Sequence, residues 1–166
     1  MNLHRPDAAT PSSDPIGDIL RSSKTIAVVG LSSNPFRPSH EVAAYLRSAG
    51  YRVIPVNPNE SEVLGIKAFA RLEDIPEPVD IVDVFRRSEE VPPVADSAIV
   101  IRAKVLWLQQ DITNAAAAEK ARAAGLTVVE DACVLVEHKR RKLETGARDE
   151  KTPTPNPSRG LRKDRG

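Results

Sequence analysis

Apolar residues fall in short runs along this chain, and the runs alternate with stretches of helical spacing. Residues 26–29 (IAVV) form a mostly β-branched run, the pattern of a central parallel strand covered on both faces. Four further runs repeat the signal: 51–56 (YRVIPV), 79–85 (VDIVDVF), 104–108 (KVLWL) and 126–129 (LTVV). Between the first two, residues 39–49 put Val42, Ala43, Leu46 and Ala49 on one helical face. Residues 89–103 read as a helix starting near Pro92-Pro93, because prolines fit a first turn. The Ala-rich 114–124 and the stretch 134–144 read as two more, and 16–23 as a short one at the front. Asn57-Pro58-Asn59 is a strong turn signal. Residues 60–71 look irregular, and 72–76 look like one helical turn.

Strands alternating with helices predict an α/β fold. The expectation is a single Rossmann-like doubly wound domain: a five-stranded, mostly parallel sheet of order 3-2-1-4-5 with helices on both faces. The domain should occupy 16–144, between a disordered N-terminal arm (1–15) and a disordered basic tail (145–166). Ligands of such sheets bind outside the carboxyl ends of the strands, beside strand one. That rule selects the loops 30–39, 57–59, 85–88, 109–111 and 131–133.

The first of these loops carries the clearest chemistry. Gly30 ends strand one, where a Cβ would obstruct a sharp turn or a close ligand. Leu31 to Arg37 supplies Ser32, Ser33, Asn34 and Arg37 and no acid. Pro38 suits a first helical turn and Ser39 suits a cap. Free backbone N–H groups and the positive end of the helix dipole then converge on one spot, an anion site with Arg37 beside it.

Composition narrows the field. A net charge of +1 over 166 residues gives no global case for nucleic acid or an anionic membrane. The single cysteine, Cys133, rules out an internal disulfide and reads as a small buried or half-buried thiol. No apolar run approaches the ~20 residues of a membrane span, and the N-terminus lacks the apolar core of a signal peptide. A soluble cytoplasmic protein is expected. His4, His40 and His138 are scattered, so no metal is expected. There is no G-x-x-x-x-G-K-[ST] and no G-x-S-x-G. The loop after strand one has one glycine, and strand two reaches no carboxylate until Glu60; both count against NAD.

The blocks GLSSNPFRPS, YLRSAGYRVIPVNPN, VDIVDVFRRSEE, KVLWLQQDI and AAGLTVVEDACVLVEH, taken in order, resemble the small CoA-binding proteins. That family shares the nucleotide-binding fold of the N-terminal domain of the succinyl-CoA synthetase alpha subunit. The similarity runs over about 16–138. It implies a module that binds coenzyme A or an acyl-CoA at the carboxyl ends of the sheet, with no catalytic activity of its own. On that reading the pyrophosphate sits on Gly30, Leu31, Ser32 and Ser33, served by Arg37, Pro38 and Ser39. Val56, Asn57 and Pro58 neighbour the 3′-phosphate, which a carboxylate there would repel. Val84, Phe85 and Arg86 flank the adenine or the pantetheine arm, and Trp107 and Gln109 line the far side. The resemblance breaks at Asp111, where the family has a glycine; a carboxylate in that crowded loop would narrow the phosphate path.

Plainer readings stand beside these. Arg37 can be a solvated surface charge, Asn57-Pro58 a structural turn, and Phe85 and Trp107 core aromatics. Two other functions remain open: an enzyme or regulator using NAD(P), with Arg37 suiting the extra phosphate of NADP, or a nucleic-acid or protein adaptor acting through the basic tail. Asp149, Glu150 and Asp164 interrupt that tail and no aromatic stands in it for base stacking, which favours a solvated segment over nucleic acid.

Overall fold

A computed structural model of the chain describes residues 13–144. The expected arm and basic tail fall almost wholly outside that range. The chain opens with α1 (Pro15–Ser22), capped by the Asp14 carboxylate, which accepts the Gly17 amide. Strand β1 (Thr25–Val29) leads into α2 (Pro38–Ser48), and β2 (Arg52–Val56) follows. A two-stranded antiparallel ribbon comes next, β3 (Glu62–Val63) and β4 (Ile66–Lys67). Beyond a 3-10 turn at Leu72–Asp74 lie β5 (Ile81–Val84), α3 (Val91–Val100), β6 (Val105–Leu108), α4 (Ala115–Ala123), β7 (Thr127–Val129) and α5 (Val134–Glu144).

The five long strands form one parallel sheet, with apolar clusters on both faces. One cluster joins Val82, Val84 and Leu106 to α3 and α4. The other joins Ile26, Val28 and Trp107 to α1, α2 and α5. The α/β doubly wound class expected from the sequence is therefore the class observed.

The strand order differs from the expected 3-2-1-4-5. The sheet runs β2-β1-β5-β6-β7, so the third long strand inserts beside the first. Burial gives the reason. All four residues of β5 are buried, as suits a strand paired on both sides, with β1 and β6. β2 tolerates the edge better, since it begins with exposed Arg52 and contains Pro55, which cannot donate to a ladder. A polar clamp fixes the arrangement: the Asp80 carboxylate accepts the amides of Lys24 and Thr25 at 2.8 and 3.0 Å, tying the start of β5 to the start of β1.

The ribbon occupies part of the segment that looks irregular in the sequence. Its turn has Leu64 and Gly65 both at positive φ (56° and 73°), the backbone of a two-residue hairpin of the primed type. On the other side, Arg141 of α5 bonds the Asp14 carboxylate at 2.8 Å and Glu137 at 2.8 Å, and Arg140 pairs with Glu137 at 3.1 Å. Arg140 and Arg141, basic residues just before the expected tail, thus work inside the fold, and Arg141 locks α5 to the cap of α1.

Candidate functional site

With β5 next to β1, the chain reverses its direction of travel across the sheet between these two strands. The loops that follow them meet there. Gly30 has φ +90°, and a Cβ on it would lie 2.4 Å from the Phe85 carbonyl oxygen. Only glycine satisfies both the backbone angle and the approach. Above this contact opens a cleft of about 740 Å³ at the carboxyl ends of the strands. Among the described residues no group of His, Cys, Asp or Glu could hold a metal ion, and no helix is long and apolar enough to cross a membrane.

Eight of the residues expected at the site line this cleft. Gly30, Ser32, Arg37, Pro38 and Ser39 come from the first loop and the start of α2; Asn57, Phe85 and Arg86 come from the ends of β2 and β5. Val56 and Pro58 instead line a smaller cleft of about 320 Å³ against α3, which shares Arg86 with the first. The other five are placed differently. Leu31 is fully buried in the core, and only its carbonyl joins the loop network, accepting from Asn57 Nδ2 at 3.0 Å. Ser33 is exposed at the rim. Val84 and Trp107 are core residues; the Trp107 indole donates to the Ala132 carbonyl at 2.8 Å, which holds it inward rather than toward a ligand. Gln109 is buried and donates its Nε2–H to Asp83. The reason is alternation: Trp107 and Gln109 point to the face covered by α2 and α5, under the cleft floor.

Hydrogen bonds organise the first loop. Ser39 is buried, and its hydroxyl accepts the Ser32 amide at 3.1 Å, so it braces the loop instead of capping α2. Ser32 Oγ accepts the Asn34 amide, and Asn34 Oδ1 accepts the Phe36 amide. Pro38 leads α2 with no N–H to satisfy. The cleft thus sits at the positive end of α2. Of the three arginines on its wall, Arg87 is tied to Glu90 at 2.8 Å and lies 3.7 Å from Glu89. The guanidinium groups of Arg37 and Arg86 make no ion pair or hydrogen bond with any described residue.

Sequence reasoning misses two carboxylates on the cleft wall, Glu89, which lies 3.7 Å from Arg87, and Glu60. Glu60 stands on the cleft wall and accepts hydrogen bonds from the Ser33 amide (2.9 Å) and the Ser33 hydroxyl (3.0 Å). The strand-two end is therefore not free of acid, although no carboxylate precedes Glu60 there. The turn at Asn57-Pro58-Asn59 folds Glu60 back onto the first loop, with Glu60 N donating to Asn57 O at 3.2 Å. The turn is legible in the sequence; its aim is not.

Asp111 lines the cleft with φ +70°. Its amide donates to the Asp131 carboxylate at 2.6 Å. The left-handed backbone explains why a glycine suits this position. Asp111→Gly is expected to raise stability by up to about 1 kcal/mol through strain relief and to tighten anion binding a few-fold. Thermal melts and a pyrophosphate titration check both; a lower melting temperature would show that the carboxylate holds the loop.

Beneath the floor, Asp83 is fully buried in β5. Burial pushes its carboxyl up to about 7, against the lowering effect of the Gln109 hydrogen bond. Its second oxygen has no partner among the described residues.

The fold is that of a nucleotide-binding α/β domain, and its large cleft lies at the N-terminus of α2. Residues 24–139 match the CoA binding domain family, and the chain belongs to it. An uncharacterised Bacillus subtilis protein, YneT, is 48% identical over 128 residues, 77% of this chain and 95% of its own. The solved structure of a hypothetical protein from Pyrococcus horikoshii is 38% identical, with TM-score 0.76 over 84% of this chain and 98% of that one. The alpha subunit of the ADP-forming acetate–CoA ligase II of Pyrococcus furiosus is 38% identical over 65 residues, 39% of this chain and 14% of the ligase subunit. Coenzyme A is the ligand class this family defines, and these relatives lend no support to NADP.

Proposed function

We propose that this protein binds coenzyme A or an acyl-CoA in the cleft between β1 and β5 and acts as a binding module without catalysis of its own. One observation supports this reading: the Arg37 and Arg86 guanidinium groups, neither in an ion pair or hydrogen bond with a described residue, stand on the wall of a cleft at the N-terminus of α2. Two unpaired guanidinium groups at a positive helix end fit a polyanionic nucleotide. The shared wall at Arg86 gives a long ligand a second cleft to enter, one with Val29, Val56 and Val94 in its lining. The hydroxyls of the large cleft favour binding over chemistry. Ser32 and Ser39 accept loop amides, and Ser88 accepts the Thr113 amide at 3.1 Å, so none is paired with a base.

Calorimetric titration with CoA, acetyl-CoA and NADP tests this reading, with Arg37→Ala and Arg86→Ala as variants. Saturable CoA binding is expected, weakened roughly tenfold by each loss of a charged hydrogen-bond donor. Incubation with acetyl-CoA should release no thiol. Binding of NADP in preference to CoA, or steady thiol release, would overturn the proposal.

A further inference from the structure

Glu60 occupies ground that a phosphate would take. Its carboxylate accepts both the Ser33 amide and the Ser33 hydroxyl, on the wall of the cleft that carries Arg37 and Arg86. We propose that Glu60 is a displaceable internal anion that fills the Ser33 end of the phosphate loop in the empty protein and decides which ligands enter, admitting multiply charged phosphates and rejecting monoanions. This rests on the cleft being an anion site, and it adds a specificity-determining residue to it.

The backbone under Glu60 is fixed while its side chain is free to swing. Asn57 is buried and holds the turn to the first loop through its Nδ2 bond to the Leu31 carbonyl. Asn57 Oδ1 also accepts the Asn59 amide at 2.9 Å. From that strap the flexible Glu60 side chain reaches Ser33. Its donors there are a neutral amide and a neutral hydroxyl, and no described cation pairs with it. The carboxylate is therefore held weakly enough to leave.

Competition sets the filter. A tethered group acts at an effective concentration in the millimolar range. A monoanion in solution gains at Ser33 only what Glu60 already supplies, and it lacks the tether. A pyrophosphate gains more, because it can engage Ser33 together with Arg37 or Arg86, which Glu60 does not do. Once the phosphate is seated, repulsion between like charges keeps the carboxylate out.

The test titrates inorganic pyrophosphate and CoA separately into the wild type, Glu60→Ala and Glu60→Gln, following the heat and the Ser33 amide resonance. Pyrophosphate should bind roughly tenfold more tightly to Glu60→Ala and a few-fold more tightly to Glu60→Gln, which keeps the shape without the charge. The Ser33 resonance of the wild type should move on adding pyrophosphate, as displacement requires. Unchanged or weaker pyrophosphate binding in both variants would overturn the proposal, and so would no pyrophosphate binding to any of the three. Tighter pyrophosphate binding with no CoA binding would keep Glu60 in this role and sink the CoA reading. CoA binding with variant-independent affinity for both ligands would do the reverse.

Discussion

Gly30→Ala is expected to remove measurable CoA binding and to lower stability by at least about 2 kcal/mol. Two penalties coincide there. At φ +90° an L side chain is strained in any surroundings. The new methyl would also sit 2.4 Å from the Phe85 carbonyl oxygen, which is backbone and cannot rotate away. Relief requires the loops after β1 and β5 to separate, and those loops carry Ser32 on one side and Phe85 and Arg86 on the other. Stability and binding should therefore fall together. Denaturant unfolding and a CoA titration on the same preparation check the coupling. A variant that loses stability but binds CoA as tightly as wild type would show that the cleft does not depend on this approach.

Gly30 also shows how much of this site is legible in the sequence. A lone glycine closing a β-branched run, followed by a polar loop and a Pro-led helix, is enough to place one wall of the cleft. It does not reveal the partner across the gap. Strand periodicity reports that a segment is extended and buried, not which neighbour it takes, so periodicity alone leaves β5 free to fall at the far edge instead of beside β1. Two features of the chain point to the observed order. Pro55 argues for an edge position of β2, and the apolar character of β5, interrupted only by Asp83, argues against an edge for β5. Trp107 and Gln109 attract a ligand role because they end a strand at the correct end of the sheet; side-chain alternation sends both into the core. Glu60 lies beyond the reach of local pattern because its importance comes from a contact across 27 positions of sequence with Ser33. The ribbon turn at Leu64-Gly65 gives little signal because leucine is an unusual occupant of a left-handed position.

Asp83→Asn is expected to stabilise the protein above neutral pH and to change little in acid. Asp83 is an acid inside a strand that is otherwise Ile, Val and Val, with Val28 and Trp107 opposite it in the neighbouring strands. Burial disfavours its charged form and lifts the carboxyl from 3.8 to about 7. A raised acid is harmless while protonated. Its contribution to stability is fully present below the unfolded value near 4 and is lost as pH rises toward and through about 7. A shift of about three units corresponds to a loss on the order of 4 kcal/mol by pH 8. Asparagine is neutral at every pH, nearly isosteric, and keeps an oxygen for Gln109 Nε2. Unfolding free energies at about pH 4, 6 and 8 should therefore diverge between wild type and variant, with the variant ahead by a few kcal/mol at the alkaline end. Gln109→Leu provides the opposite arm. Without the Gln109 donor the Asp83 carboxylate is poorer still in the folded state, so the loss, which starts at the same unfolded value, should continue to higher pH and grow larger. Parallel pH profiles for all three proteins would mean that the carboxyl is ionised and solvated in the native state, and the closed floor beneath the cleft would then be wrong.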